Sequence, residues 1–277
     1  MAELKVRKID FRFGDDIPVQ FNPLNPRWSN FVNYITLIGP GFERYFIRAI
    51  RDAMPHIKDS RVKKDADLFC LQEAQHSRHH LAHLNALTNK YSGLEETKNQ
   101  ILSSYDNLLK TGSLEFHLAY AATVELAFGP TAKFLVESRD VLFKGGDSRI
   151  SSFILWHLIE EFEHRNAAND IYHDIVGSYA YRMKNVMPVF RHLAEVYRIA
   201  QEGLQRNVPS TDCIISPYET GLDMFRQVPF KRKLRYLYDL TCTLLPYHNP
   251  DNIVQPEWVT KWFADEAAGQ DMTHYYQ

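Results

Sequence analysis

The stretch Phe153–Asn169 reads FILWHLIEEFEHRNAAN, and it decides the fold of the chain. Within it, His157, Glu161 and His164 stand at positions i, i+4 and i+7. An α-helix turns once every 3.6 residues, so these three side chains project from one face over two turns. Bulky apolar residues surround them, which favours a buried helix over a solvated, glutamate-rich one. Burying ionisable groups without partners costs several kcal/mol, and a bound metal ion would satisfy them.

A second stripe of the same kind lies about eighty residues earlier. The pattern predicts a helix from about Val62 to Asn89, with Glu73 and His76 one turn apart in Glu-x-x-His spacing. One such pair is common by chance, but Glu161 and His164 repeat it. His80 extends the stripe by another turn. His79 and His83 lie off the stripe or further along it, and we interpret them as surface residues or as residues that support a ligand.

Two further glutamates complete a set of four helices. Glu125 sits in an apolar helix that starts near Ser113, where a lone carboxylate needs a partner, whereas Glu115 near the start of that helix can be solvated. Glu43 follows the sequence Gly39-Pro40-Gly41, which we expect to interrupt the first helix. Glu43 would then lie in the first turn of a new helical segment. There it either binds metal or only complements the helix dipole.

Together these residues match the carboxylate-bridged dimetal pattern: one Glu from each of two helices and Glu-x-x-His from each of the other two. The sequence therefore predicts an all-α fold, a ferritin-like four-helix bundle that carries a dimetal site, with additional C-terminal helices. Residues 90–112, with a short helix inside them, form the long crossover that such a bundle needs. We expect one domain, with an N-terminal arm (1–27), a metal-binding core (28–185) and a C-terminal extension (186–277).

The remaining helix boundaries follow from caps and prolines. Asp147 or Ser148 caps the helix that begins the quoted stretch, and this helix is predicted to continue to about Lys184. Pro188 then starts another helix. Further helices are predicted in the C-terminal region at about 218–224, 231–245 and 257–268. The basic run FKRKLRYLYDL in this region is short, and no second basic cluster accompanies it, so we interpret it as a solvated helix face.

Composition limits the classes of partner. The chain has 277 residues, 45% of them hydrophobic, and a formal net charge of −2, so its overall balance does not call for nucleic acid or an anionic membrane. Its three cysteines, Cys70, Cys213 and Cys242, are widely spaced, which suits a reducing compartment. No signal-peptide core and no apolar run of membrane-spanning length is present. We expect a cytoplasmic protein with no membrane span.

Two resemblances emerge from these motifs. His-x-x-x-Glu-x-x-His at 157–164 resembles the p-aminobenzoate N-oxygenase family of non-haem diiron oxygenases. Over most of its length the chain also resembles a bacterial family of predicted metal-dependent hydrolases, through Gly-x-Glu-Arg at 41–44, Gln-Glu-x-x-His at 72–76 and Trp-His-x-x-Glu-Glu-x-Glu-His at 156–164. The second resemblance is the closer one. The first implies a seven-residue ligand set: Glu43, Glu73, His76, Glu125, His157, Glu161 and His164.

Spacing leaves some assignments open. Glu160 and Glu163 compete with Glu161 for the inward face, and His80 either ligates or holds a ligand in place. Aromatic residues are expected either to line an apolar pocket beside the ions or to pack in the core. These are Phe69, Phe116, Phe128, Phe153 and Trp156.

Four carboxylates and three imidazoles favour two iron ions, with manganese, zinc or a mixed pair as alternatives. The leading hypothesis is a diiron oxidase or oxygenase that activates O2, takes electrons from an external donor and oxidises a small organic substrate. The main alternative is a dimetal hydrolase that uses a metal-activated water. A metal-storage protein and a metal-free interaction protein are weaker hypotheses. The sequence leaves the oligomeric state open, with a homodimer as one candidate.

Overall fold

The computed structural model describes residues 4–214 and 223–277, and within these ranges the chain forms only helices and loops. The all-α prediction is therefore confirmed. The α-helices are α1 Pro26–Ala53, α2 Ser60–Lys90, α3 Leu94–Thr111, α4 Leu114–Glu137, α5 Arg139–Leu142, α6 Ser148–Glu163, α7 Ala167–Ile175, α8 Tyr179–Asn207, α9 Phe230–Cys242 and α10 Glu257–Ala267. The helix predicted at about 218–224 lies mostly outside the described residues.

Helices α1, α2, α4 and α6 form the four-helix core. Helix α1 packs along α2, α4 packs against α6, and α2 also contacts α6. Helix α3 is the predicted crossover, and it lies with α8 against α1. Among the described helices, none combines the length and the apolar character needed to cross a membrane.

Helix α1 is continuous, so the predicted interruption at Gly39-Pro40-Gly41 is wrong. The helix begins after Asn25, whose side chain accepts a hydrogen bond from the backbone N–H of Trp28 at 3.2 Å, and Pro40 lies inside it. An interior proline costs about 3 kcal/mol, but one face of α1 is buried along its whole length against its neighbours. Gly39 allows this close approach, because a Cβ there would lie 2.8 Å from the His80 ring. Glu43 therefore lies in the middle of a helix rather than in a first turn.

Helix α6 ends earlier than predicted. Its last residue is Glu163, His164 is its C-cap, and a short helix, α7, follows before α8 begins. Gly177, with φ of 63°, makes the left-handed turn between α7 and α8 that other residues rarely adopt. Pro188, predicted to start a helix, lies inside α8. The chain thus turns away just after the last predicted ligand.

The N-terminal arm packs on α2 and α6. The Phe11 ring lies 5.4 Å from both His79 and Trp156, measured between ring centroids. Trp262 of α10 belongs to the same apolar cluster, so the two ends of the chain meet there. His79 and His83 are buried, so the alternative that they lie on the surface is wrong.

We expect the buried His83 to make stability dependent on pH. Burial lowers the pKa of His83 to about 4, whereas an unfolded histidine titrates near 6.5. Between these values the unfolded chain binds more protons, so the free energy of unfolding falls as the pH drops from about 6.5 to 4. His83→Asn, which keeps an acceptor or donor for the Thr36 hydroxyl 3.0 Å away, should lower this slope by about 1 kcal/mol per pH unit. Urea unfolding across this range measures it.

The matched control is His173→Asn, because His173 is exposed on α7. The control should leave the slope as it is in the unmodified chain. An unchanged slope in His83→Asn would show that His83 is not held neutral by burial.

Candidate metal centre

The four core helices bring the seven predicted ligands together. Each residue offers one nitrogen or oxygen atom, and the atoms fall into overlapping groups in which all lie within 4.8 Å of one another. Six of the seven residues are at most 4% exposed, and the seventh, His157, is slightly more open. The set comprises Glu43 from α1, Glu73 and His76 from α2, Glu125 from α4, His157 and Glu161 from α6, and the C-cap His164. That these residues bind metal remains a prediction.

The grouping suits two ions rather than one. One group contains Glu73, Glu125, Glu161 and His164. Two further groups are His76 with His157 and Glu161, and Glu43 with Glu73 and His76, so Glu161 and Glu73 each recur outside the first group. The two shared glutamates are the carboxylates of the two Glu-x-x-His pairs. Carboxylates that bridge two ions are expected at these places in a dimetal bundle.

The C-cap position of His164 aims its ring into the centre. Because α6 stops at Glu163, His164 leaves helical geometry while its backbone N–H still bonds to the Glu160 carbonyl. Its Nε2 lies 3.2 Å from Glu161 Oε2 and 3.5 Å from Glu125 Oε2. Its Nδ1 lies 3.2 Å from the Gln72 amide oxygen, which orients the ring from behind.

Several carboxylate oxygens in this cluster have no hydrogen-bond partner among the described residues. Both oxygens of Glu73 and both oxygens of Glu125 are in this state, although His164 Nε2 lies 3.3 Å from Glu73. Leaving a buried polar atom unsatisfied costs about 1–3 kcal/mol, and more when it is charged. When all four glutamates are ionised they carry four negative charges, which two divalent cations would neutralise. The donor set therefore fits the dimetal centre that the sequence predicts.

The electrostatics of the cluster indicate the same need for cations. Burial, with the neighbouring carboxylates, raises the pKa of Glu43 and of Glu125 well above the ordinary value. Burial acts in the same direction on Glu161, but His164 and His157 outweigh it and hold the pKa of Glu161 well below its usual range. Carboxylates that repel one another in this way are stabilised by a bound cation.

Glu160 and Glu161 have different surroundings, which bears on the choice between them. Glu160 Oε2 lies 3.1 Å from His76 Nε2, and its Oε1 accepts a hydrogen bond from Arg7 at 3.0 Å. Glu161 instead contacts His157 at 2.7 Å and His164, inside the ligand groups. Glu160 belongs to none of these groups. This geometry favours Glu161 as a ligand and Glu160 as a residue that orients His76.

The sequence analysis did not identify Arg7, in the N-terminal arm, as a residue that contacts the candidate centre. Arg7 donates to Glu160 and also to Glu163, at 2.8 and 3.0 Å. Glu163 in turn accepts a hydrogen bond from the Gln72 amide at 2.7 Å. Gln72 therefore joins this network to His164. The only local signal was Gln72 directly before Glu73, since nothing near Arg7 in the sequence marks it.

His80 lies at the edge of the cluster, close to His157 and Glu43. Its Nε2 is 2.9 Å from His157 Nδ1 and 3.6 Å from Glu43 Oε1, and it forms a possible ligand group with these two residues. Burial, with the neighbouring histidines, lowers the pKa of His80 well below its ordinary value, so it is neutral. A neutral imidazole can either ligate or orient His157. Both roles stay open.

An apolar cavity of about 90 Å³ reaches the cluster from the side of α1, α4 and α6. Of the aromatic residues considered from the sequence, only Phe128 lines it, while Phe153 and Trp156 pack around the histidines of α2. The lining consists of Trp28, Phe31, Val32, Ile35, Phe128, Thr131, Ala132, Leu135, Ile154, His157, Leu158 and Glu161. Two predicted ligands thus face a space with an apolar wall.

The chain matches a known protein family. A family model described as "Predicted metal-dependent hydrolase" matches residues 5–251, which is most of the chain and includes every predicted ligand. No curated protein matches, and no solved structure does.

Replacing His76 or His164 by Ala should abolish metal binding while helix content stays largely intact. Each ring lies in a ligand group between carboxylates, so its loss removes a donor from the centre. Elemental analysis of protein loaded with Fe(II) and desalted measures the metal, and circular dichroism measures the helices. His173→Ala, at an exposed position, should retain full occupancy. Full occupancy in the His76 and His164 variants would refute the ligand assignment.

Glu160→Ala should lower metal occupancy less than Glu161→Ala does. Glu161 offers its oxygens to the ligand groups, whereas Glu160 contacts the centre only through His76. Loss of an orienting partner typically lowers metal affinity 10–100-fold, and loss of a bridging ligand should lower it more. Fe(II) titration of the two variants gives the affinities. Equal or reversed losses would contradict the assignment of Glu161, rather than Glu160, as the ligand.

Proposed function

Because this chain belongs to the family of predicted metal-dependent hydrolases, we propose that it is a metal-dependent enzyme whose active centre holds two divalent ions. Glu43, Glu73, Glu125 and Glu161 would supply the carboxylates, and His76, His157 and His164 the imidazoles. The observation that carries this proposal is the set of buried carboxylate oxygens that have no hydrogen-bond partner in the part of the chain that the structure describes. Mixed carboxylate and imidazole donors suit iron or manganese, and they also accept zinc.

For the reaction, we propose O2-dependent oxidation of a small apolar substrate. The cavity beside His157 and Glu161 supports this choice, because its wall is almost entirely apolar. Apart from the two predicted ligands, the polar groups of the lining side chains are the indole N–H of Trp28 and the hydroxyl of Thr131, which already bonds to the Ala127 carbonyl at 2.7 Å. Such a wall excludes water and offers little to a charged substrate.

In this proposal each part of the site has a separate task. The apolar wall binds and positions the substrate next to His157 and Glu161. Arg7 and Glu160 fix the orientation of His76, and Gln72 fixes that of His164. Iron in the centre would supply the redox chemistry, with O2 as oxidant and an external electron donor.

The second candidate is a dimetal hydrolase, and the family's description favours it over oxidation. In that reaction a metal lowers the pKa of a bound water and polarises a carbonyl or phosphoryl group. The same seven ligands would serve, and zinc would support the reaction as well as iron. Redox behaviour therefore distinguishes the two candidates.

The deciding experiment compares Fe(II)-loaded and Zn-loaded protein. After anaerobic loading, we expect two ions per chain in both forms, and O2 consumption by the iron form with a reductant present, measured with an oxygen electrode. His164→Ala should consume no O2 above the rate of free iron. A panel of nitrophenyl esters and phosphate esters is assayed in parallel. Ester hydrolysis by both metal forms, without O2 consumption, would establish the hydrolase instead.

A further inference from the structure

Helix α9, Phe230–Cys242, carries an apolar stripe that faces solvent. Phe230, Leu234, Leu237 and Tyr238 are 53–75% exposed, and their spacing places them on one side of the helix. No residue of α9 is buried. A contiguous apolar surface of this kind usually marks a binding surface.

The opposite side of α9 attaches the helix to the core. Tyr236 stacks on Phe134 of α4, with ring centroids 4.6 Å apart and planes 13° from parallel. Its hydroxyl lies 3.1 Å from that of Thr131. The apolar stripe is therefore held outward by packing on the side that faces α4.

The exposed apolar surface extends beyond the helix. Tyr238 lines a shallow surface hollow together with Leu245, Tyr247 and Val254. Tyr247 and Val254 are each at least 70% exposed. We call the stripe and these three residues the α9 surface.

Basic residues border the stripe on both sides. Helical spacing places Lys231 and Arg235 along one edge and Lys233 along the other. Arg235 is 62% exposed, and its ion pair with Asp239 is long, at 3.8 Å. Arg232 turns away from the stripe and donates to Asp140 at 2.8 Å. The cations that flank the stripe contrast with the net charge of −2 of the whole chain.

We propose that the α9 surface binds the face of a lipid bilayer that contains anionic lipids, with the helix lying in the plane of the interface. An apolar stripe of leucine and aromatic residues between two basic edges is the pattern of helices that lie at a membrane surface. The apolar side chains enter the boundary between headgroups and acyl chains. The lysines extend to the headgroups, which supply the complementary negative charge.

Binding of α9 to a bilayer does not depend on the proposed function. If both hold, the binding limits the class of substrate. Thr131 lines the apolar cavity and contacts Tyr236, so α9 packs on the outside of the cavity wall. A protein bound through α9 would hold this cavity close to a bilayer. If the proposed oxidation is correct, its apolar substrate is one that partitions into lipid.

The test is co-sedimentation of the full-length protein with large unilamellar vesicles. One set contains phosphatidylcholine alone, and the other contains equal amounts of phosphatidylcholine and phosphatidylglycerol. We expect binding to the anionic vesicles, weakening as salt concentration rises, and little binding to the neutral ones. The double variant Lys231→Gln/Lys233→Gln should bind about 30-fold more weakly.

The double variant Leu234→Glu/Leu237→Glu should lose detectable binding. Leu71→Glu/Leu81→Glu is the matched control, because these two leucines are 41% and 39% exposed on α2, whereas α9 packs on α4, and it should bind like the unmodified protein. All variants change exposed or partly exposed side chains, and circular dichroism with thermal melting verifies that they fold. Metal occupancy should be the same in all of them, so this test is separate from that of the metal centre.

Two results would overturn the proposal. One is the absence of binding to anionic vesicles, or binding that the α9 variants leave unchanged. The other is a stable dimer in analytical ultracentrifugation without lipid that Leu234→Glu/Leu237→Glu converts to monomer. That result would assign the α9 surface to a second copy of this chain.

Discussion

The structure depends on one constraint, the burial of four carboxylates within a few ångströms of one another. Repulsion and desolvation both oppose their ionised forms, and three imidazoles do not satisfy all of their oxygens. Both oxygens of Glu73 and of Glu125 have no hydrogen-bond partner among the described residues. Apolar side chains in their place would fill the core without this penalty. This penalty is the reason for our proposal that the cluster holds cations.

The shape of the core follows from the need to bring four helices to that centre. Gly39 lets α1 approach the His80 ring, which keeps Glu43 close to α2 despite the adjacent Pro40. The end of α6 at Glu163 has a similar effect, because it lets His164 Nε2 come within 3.5 Å of Glu125 Oε2. The interior proline of α1 and the early end of α6 thus both lie beside predicted ligands. Each departs from the structure that the local sequence favours.

The sequence predicts those parts of this arrangement that depend on residues close together along the chain. Glu-x-x-His spacing is local, so the pairs Glu73–His76 and Glu161–His164 and the all-α fold could be predicted. The different surroundings of Glu160 and Glu161 could not be predicted, because they depend on Arg7, which lies 153 residues from Glu160 along the chain. The continuity of α1 through Pro40 was missed for the same reason, since it rests on packing against other helices.

The run FKRKLRYLYDL is a second stretch whose surroundings could not be predicted from its own sequence. Its sequence alone suggests a solvated basic helix, and the nearly balanced charge of the whole chain supports that interpretation. The fold uses Tyr236 to attach α9 to α4, through Phe134 and Thr131. That attachment decides which side of the helix remains outside, and the outer side is the apolar one. Because Thr131 also lines the cavity that reaches His157 and Glu161, the exposed helix and the candidate metal centre share one wall.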